Sequence, residues 1–273
     1  MEKKRLGSTK ETISTIGMGT WKMMGNEKDD IGSLRYGISK GMTFIDTAEM
    51  YGNESMVGEA IKGQEGLFIA TKVSPHNFRH DDVIRACEQS LSKLGVKQID
   101  LYQLHWPNHS IPIKETMQAM ERLANDGKIR HIGVSNFDVK EFEEAQSAMK
   151  SCEIVSNQVE YSMLVRDVEK ELLGHCAKNK VTVIAYSPLA RGALFHNKYK
   201  KLAEFLEGIG RRHSKTASQV ALNWLIDKEP VVAIPKASDK RHLEENAGAA
   251  GWKLSMREVS EINNFLSEWA RGP

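Results

Sequence analysis

The sequence predicts an α/β protein folded as one (β/α)8 barrel over residues 1–273, with an amino-terminal hairpin and additional helices. Three observations predict it. Eight short apolar, β-branched runs recur along the chain, segments of helical period separate them, and the repeat fills the roughly 250 residues such a barrel needs. Alternating strand and helix imply a parallel sheet, and eight repeats match a closed TIM barrel better than an open doubly wound sheet. No linker or low-complexity tract interrupts the pattern.

Taken in order, KRLGSTKETIS sets a Gly-Ser-Thr turn between short polar runs and reads as a hairpin capping the barrel floor. The strand runs are TIGMG, MTFID, LFIATKV, IDLYQLH, HIGVS, VSNQVEY, VTVIAYS and VVAIPK. Between them DVIRACEQSLSKLG, IKETMQAMERLANDG, VEKELLGHCAKN and TASQVALNWLIDK carry apolar residues three and four apart, the stripe of a helix with one face on a core. Residues 190–213 and a helix near 256–270 fall outside the repeat and read as decorations.

Composition narrows the function. Hydrophobic residues make up 40% and charged residues 27%, the balance of a soluble globular enzyme. Lys plus Arg at 38 against Asp plus Glu at 36 leaves a net charge of +2, so no field for nucleic acid or an anionic membrane is expected. Cys87, Cys152 and Cys176 are odd in number and widely spaced, which suits inert thiols rather than a disulfide framework or metal site. MEKKRLGSTKE lacks the apolar core of a signal peptide and no apolar run approaches a membrane span, so a cytoplasmic location is expected. His105 and His109 stand four apart, but Pro107 between them spoils a helical metal pair, and no metal is expected.

Catalytic groups of such barrels come from the carboxyl ends of several strands. Those ends carry Gly19-Thr20-Trp21, Asp46 with Tyr51, Lys72, His105-Trp106, Ser135-Asn136, Gln158, Tyr186-Ser187 and Lys236. A lysine in a crowded barrel mouth is tolerable only beside an acceptor, and Asp46, one strand earlier, is its natural partner. That cation beside a phenol is expected to lower the phenol pKa from about 10 and make Tyr51 a usable general acid. His105 can bond the same substrate oxygen and polarise a carbonyl. Trp21 and Trp106 are placed to wall a substrate pocket, with Met23, Met24 and Met50 near the same rim, while His131 packs at a strand start. Two other readings stand beside this one: a structural Asp46–Lys72 pair, and a Schiff-base aldolase using Lys72, against which the neighbouring carboxylate works.

The segments GMGTW, FIDTAEMYGNE, MVGEAI, ATKV, YQLHWP, HIGVSNF, NQVEYS, AYSPLARG, IPKAS and EEN at 244–246 resemble the aldo-keto reductases of compact prokaryotic type. The resemblance implies NAD(P)H-dependent reduction of aldehydes and ketones, with Tyr51 as proton donor and Asp46, Lys72 and His105 as its partners. It also implies a cofactor extended across the barrel mouth without a Rossmann domain, in keeping with GMGTW, which lacks the third glycine of G-x-G-x-x-G. Gly19, Thr20, Trp21 and Asp46 would lie along it. Ser135, Asn136 and Gln158 would hold the carboxamide, and Tyr186 would stack on the nicotinamide. Ser187, Leu189 and Arg191 would cover the pyrophosphate; Lys236 and Ser238 would meet the adenosine phosphate, Glu245 and Asn246 the adenine, and Ile234 and Arg241 complete the expected cofactor-binding residues.

Many NADPH-preferring members have arginine six residues after the lysine of IPK. Here that residue is His242, and arginine comes one place earlier as Arg241. Lys236 and Lys240 are expected as phosphate partners, helped by a helix starting near Ser238. NADPH is therefore expected, with NADH possible. Some proteins of this fold are cofactor-binding regulatory subunits of membrane channels, an alternative class. The short PNHSIP segment and the stop at Pro273 predict an open, weakly selective pocket, and a monomer acting on a small carbonyl compound is the expected form.

Overall fold

The computed structural model describes residues 1–23 and 26–271. Strands β1 (Lys3–Arg5) and β2 (Thr12–Ser14) pair antiparallel, Lys4 opposite Ile13, and form the hairpin. Eight parallel strands follow in chain order around the barrel: β3 (Met18–Gly19), β4 (Phe44–Asp46), β5 (Phe68–Val73), β6 (Ile99–Leu104), β7 (Ile129–Ser135), β8 (Ile154–Glu160), β9 (Thr182–Tyr186) and β10 (Val231–Ile234). The closure that periodicity could not prove is made by backbone bonds around β3. Gly17 N–H donates to Ala233 O at 2.8 Å, Ala233 N–H to Thr15 O at 2.9 Å, and Gly19 N–H to Pro235 O at 3.3 Å. The glycines permit this approach, since a Cβ at Gly17 would lie 2.8 Å from Phe44 O and one at Gly19 2.8 Å from Ile234 O.

Inside the barrel, Phe44, Phe68, Leu101, Val155, Ile184 and Val232 pack with Leu6 and Ile13 of the hairpin. The hairpin is thus a plug in the floor, as its sequence predicts. Lys4 fastens it by donating to Ile226 O and Lys228 O at 2.5 and 2.9 Å.

Helices α1 (Glu27–Ser39), α2 (Glu54–Ile61), α3 (His80–Leu94), α4 (Ile113–Asn125), α5 (Val139–Ser147) and α6 (Leu172–Lys178) follow β3 to β8 in turn. After β9 come α7 (Lys200–His213) and α8 (Ala217–Ile226), and after β10 come α9 (Lys240–Ala247) and α10 (Met256–Arg271). In α4 the buried residues Thr116, Met117, Met120 and Leu123 form the predicted stripe. In the run from Val168, Val168 and Glu169 belong to a 3₁₀ turn (Asp167–Glu169) and the α-helix starts at Leu172, while the Glu169 carboxylate accepts from Tyr161 Oη at 2.5 Å and Arg166 Nη2 at 2.6 Å. Helix α8 is buried nearly all round rather than on one face. The decorations explain this: α7 covers it, and Trp224 Nε1 donates to Asn263 of α10 at 3.0 Å. Among the described residues no helix is long and apolar enough to cross a membrane.

Candidate active site

Strand pairing brings the tetrad together. Asp46 on β4 stands opposite Ala70 on β5, so Lys72, two residues on, projects from the same face just above it. Lys72 Nζ lies 2.6 Å from Asp46 Oδ1, 2.7 Å from Thr47 O and 3.5 Å from Tyr51 Oη. Lys72 is 0% exposed, and Asp46 is equally enclosed. Buried charges persist only when fully partnered, and the other carboxylate oxygen accepts amides from Gln158 at 2.8 Å and Gln103 at 3.2 Å. Gln103, opposite Lys72 on β6, went unassigned in the sequence; its signal was a polar side chain inside the otherwise apolar IDLYQL run.

Tyr51 ends a short 3₁₀ turn, Glu49–Tyr51, that leaves β4 and stops at left-handed Gly52. Glu49 moors the turn to the next strand end, accepting from Ser74 N–H at 2.9 Å and Asn77 Nδ2 at 2.6 Å. His105 follows β6, its ring edge-on to Tyr51 with centroids 5.5 Å apart.

The electrostatics correct one expectation. Burial raises the Tyr51 phenol above its ordinary value; Lys72 pulls it down, Asp46 pushes it back, and the net result is raised, not lowered. Tyr51 is therefore held protonated, as a donor must be. Burial opposes the charge on Lys72, but Asp46 and Tyr51 raise its pKa overall. A lysine held charged is no Schiff-base nucleophile. Burial, then Lys72, lowers His105 to about 3, leaving a neutral imidazole whose Nδ1 is buried without a partner.

The unfolded chain protonates His105 near the usual 6.5 while the folded protein resists it, so stability is whole above that pH and falls as pH drops toward 3. In His105→Gln the pH dependence of unfolding free energy between roughly pH 5.5 and 3.5 should be shallower by about 1.4 kcal/mol per pH unit. Urea titrations across that range measure it; an unchanged slope would show that the native imidazole titrates normally.

A groove of about 670 Å³ runs across the barrel mouth from Tyr51 and His105 to Lys236 and Asn246. Among residues singled out in the sequence it is lined by Gly19, Thr20, Trp21, Asp46, Trp106, Ser135, Asn136, Gln158, Tyr186, Ser187, Leu189, Arg191, Ile234 and Glu245. Ser238 and Arg241 do not line it. The Ser238 carbonyl accepts from Ser33 on α1 at 2.9 Å, and the Arg241 guanidinium lies 3.4 Å from His242 Nε2. Lys240 turns instead to the Tyr36 ring, 5.3 Å from its centroid. The start of α9 is already capped by the Asp239 carboxylate, which weakens it as an anion site. Met23 is buried in the core, Met50 is exposed away from the groove, and Met24 lies outside the described residues.

Lys22, Pro188, Gly192, Phe195, Ser218, Pro235 and His242 also line the groove. Among the described residues, five of the seven non-glycine positions with positive φ (Lys22, Asn136, Ser187, Ala190 and Arg191) lie in the mouth or its covering loop, so backbone strain gathers where function is expected. His131, at the opposite end, bonds Glu11 at 3.1 Å. Among the described residues no three His, Cys, Asp or Glu side chains gather as a metal site.

The groove suits an extended dinucleotide. The Tyr186 ring lines the mouth with its Oη donating to Asn136 Oδ1 at 3.0 Å, and Arg191 lines it too, its guanidinium 5.0 Å from the Trp21 ring centroid. Thr20 Oγ1 is a second buried polar atom in the mouth left without a partner.

Comparison with known proteins agrees. Methylglyoxal reductase YeaE of Escherichia coli is 39% identical, the match covering 92% of this chain and 90% of that protein. The thermostable aldo-keto reductase Tm1743, solved with the inhibitor epalrestat, superposes with a TM-score of 0.90 at 44% identity, covering 97% and 99% of the two chains. An aldo-keto reductase from Klebsiella pneumoniae, solved with NADPH, gives 0.88 at 35% identity, covering 97% and 96%. The profile of the Aldo/keto reductase family matches residues 15–267, and the chain belongs to that family.

Proposed function

We propose that the protein reduces aldehydes and ketones to alcohols with NADPH, and that Tyr51 gives the proton to the substrate oxygen. The observation that carries this is Lys72, fully buried between Asp46 and the Tyr51 hydroxyl at one end of a groove of dinucleotide shape. Reduced nicotinamide, when bound, supplies the hydride. Ser135, Asn136 and Gln158 would hold its carboxamide and Tyr186 its ring, while Arg191 and Lys236 would meet its phosphates. At the reacting end the neutral His105 imidazole would donate a hydrogen bond to the carbonyl oxygen. As the proton leaves Tyr51, the Lys72 cation 3.5 Å away stabilises the phenolate left behind. Asp46 keeps that cation in place.

Trp21 and Trp106, 39% and 47% exposed, make an open apolar rim that fits small carbonyl compounds. The name of the Escherichia coli relative makes methylglyoxal the first substrate to assay. A panel of aldehydes and ketones followed by nicotinamide absorbance should give turnover with high KM for small aldehydes. No consumption with any carbonyl compound, despite cofactor binding, would favour the regulatory-subunit reading. We expect NADPH to be preferred over NADH in kcat/KM, with the preference reduced in Lys236→Ala. Equal use of the two cofactors by the wild type would overturn that assignment.

A further inference from the structure

Asparagine at the start of a helix ordinarily caps it with its side-chain oxygen. Asn53 holds the N-cap position of α2, yet its side chain makes no bond to that helix. The residue is 4% exposed and its amide is spent elsewhere. Nδ2 donates to Thr20 O at 2.8 Å and to Met23 O at 3.3 Å, while Oδ1 accepts from Thr47 Oγ1 at 2.8 Å. Two carbonyls can meet only the NH₂ end of an amide, so the partners fix its orientation.

Thr20 and Met23 are the two ends of a turn that leaves β3. Met23 N–H donates to Thr20 O at 3.0 Å and closes it, with Trp21 and Lys22 in the middle. Lys22 has φ 61°, in the left-handed region that favours glycine, and such a residue persists only where its surroundings hold it. The Asn53 amide grips both ends of that strained turn. What the turn presents is Trp21, at the rim of the groove, with its ring 4.5 Å from Lys22 Nζ and 5.0 Å from the Arg191 guanidinium.

At its other end the amide is moored to Thr47, which directly follows Asp46. Thr47 N–H donates to Ala70 O at 2.9 Å, and the Thr47 carbonyl receives Lys72 Nζ at 2.7 Å. Those two bonds use backbone atoms and do not involve Asn53, which takes only the hydroxyl. Loss of the Asn53 amide therefore leaves the Lys72 contacts standing. Thr20 is also tied to β4 directly, its N–H donating to Asp46 O at 3.0 Å, and Asn53 adds the hold on the Met23 end.

We propose that Asn53 is a positioning residue for the carbonyl substrate: by clamping the Thr20–Met23 turn to the end of β4 it fixes the Trp21 wall of the groove relative to Tyr51 and His105, and so sets how firmly a small aldehyde is held for reaction. This rests on the reading that Trp21 rims a carbonyl pocket. A small aldehyde touches few side chains, so misplacing one wall loosens its hold while the proton donor stays where it was.

Steady-state kinetics with methylglyoxal, beside binding calorimetry with NADPH, test this through a double-mutant cycle with Trp21→Ala. Asn53→Ala should raise KM about tenfold, lower kcat less than about threefold and change the NADPH dissociation constant less than about twofold. In the Trp21→Ala background the same substitution should change KM less than about twofold, because the wall it positions is gone. Thr47→Val removes only the hydroxyl that moors the amide, and should repeat the pattern with a rise in KM of about threefold, which carries the test if Asn53→Ala does not fold. KM effects that multiply with that of Trp21→Ala, or a fall in kcat with KM unchanged, would overturn the proposal and leave carbonyl reduction intact. A wild type that binds NADPH yet turns over no aldehyde would sink the pocket reading, and the proposal with it.

Discussion

Tyr51→Phe should lower kcat for carbonyl reduction by roughly 10²- to 10⁴-fold, the range of a lost general acid, while changing the dissociation constant for NADPH less than about twofold. The substitution removes one oxygen and little else. The ring keeps its edge-on contact with His105 at 5.5 Å and its place 4.9 Å from the Lys72 ammonium. Lys72 keeps its two shorter bonds, to Asp46 and Thr47 O, so the barrel mouth should hold its shape. Steady-state turnover beside a fluorescence titration of the cofactor separates chemistry from binding. Turnover within a few-fold of wild type would assign the proton to another donor.

Lys72→Met should damage both activity and folding. Removing one member of a buried pair strands the other charge, at about 3–5 kcal/mol, and the phenolate forming on Tyr51 loses its nearest cation. Adding Asp46→Asn removes the stranded carboxylate, so the double variant should recover a large part of the stability and none of the turnover. Urea unfolding reads the first quantity and the carbonyl assay the second. If Lys72→Met alone loses less than about 1 kcal/mol, the pair is not the enclosed, desolvated one described above. The wild type carries a matching pH signature. Lys72 is held above the usual 10.5 by Asp46 and Tyr51, so its contribution is present below that pH and is lost as pH climbs through the raised value.

Much of this site was legible before any coordinates. Asp46, Lys72 and His105 each end or directly follow an apolar run, and parallel strands in chain order must set such residues side by side. The hairpin plug and both extra helices were readable for the same reason, from breaks in the period. What escaped the sequence depended on neighbours far along the chain. Barrel closure hangs on bonds between residues 15–19 and 233–235, and β3 is only two residues long. The sign of the Tyr51 shift could not be read, because burial and a carboxylate oppose a lysine over distances that only the fold defines. Gln103 was hidden by its amide, which looks unremarkable until Asp46 is seen to need it. At the adenosine end a one-residue change of helical phase decided the matter: His242 faces the groove and Arg241 does not.

The central claim is that this mouth passes a hydride from nicotinamide to a carbonyl carbon while Tyr51 protonates the oxygen. Incubating the protein with NADPH carrying deuterium at the transferable C4 position and with methylglyoxal, then weighing the alcohol by mass spectrometry, tests it most directly. The account predicts an alcohol with one deuterium on the former carbonyl carbon, formed by the wild type and nearly absent with Tyr51→Phe. Unlabelled product, or labelled product formed equally by both proteins, would contradict it.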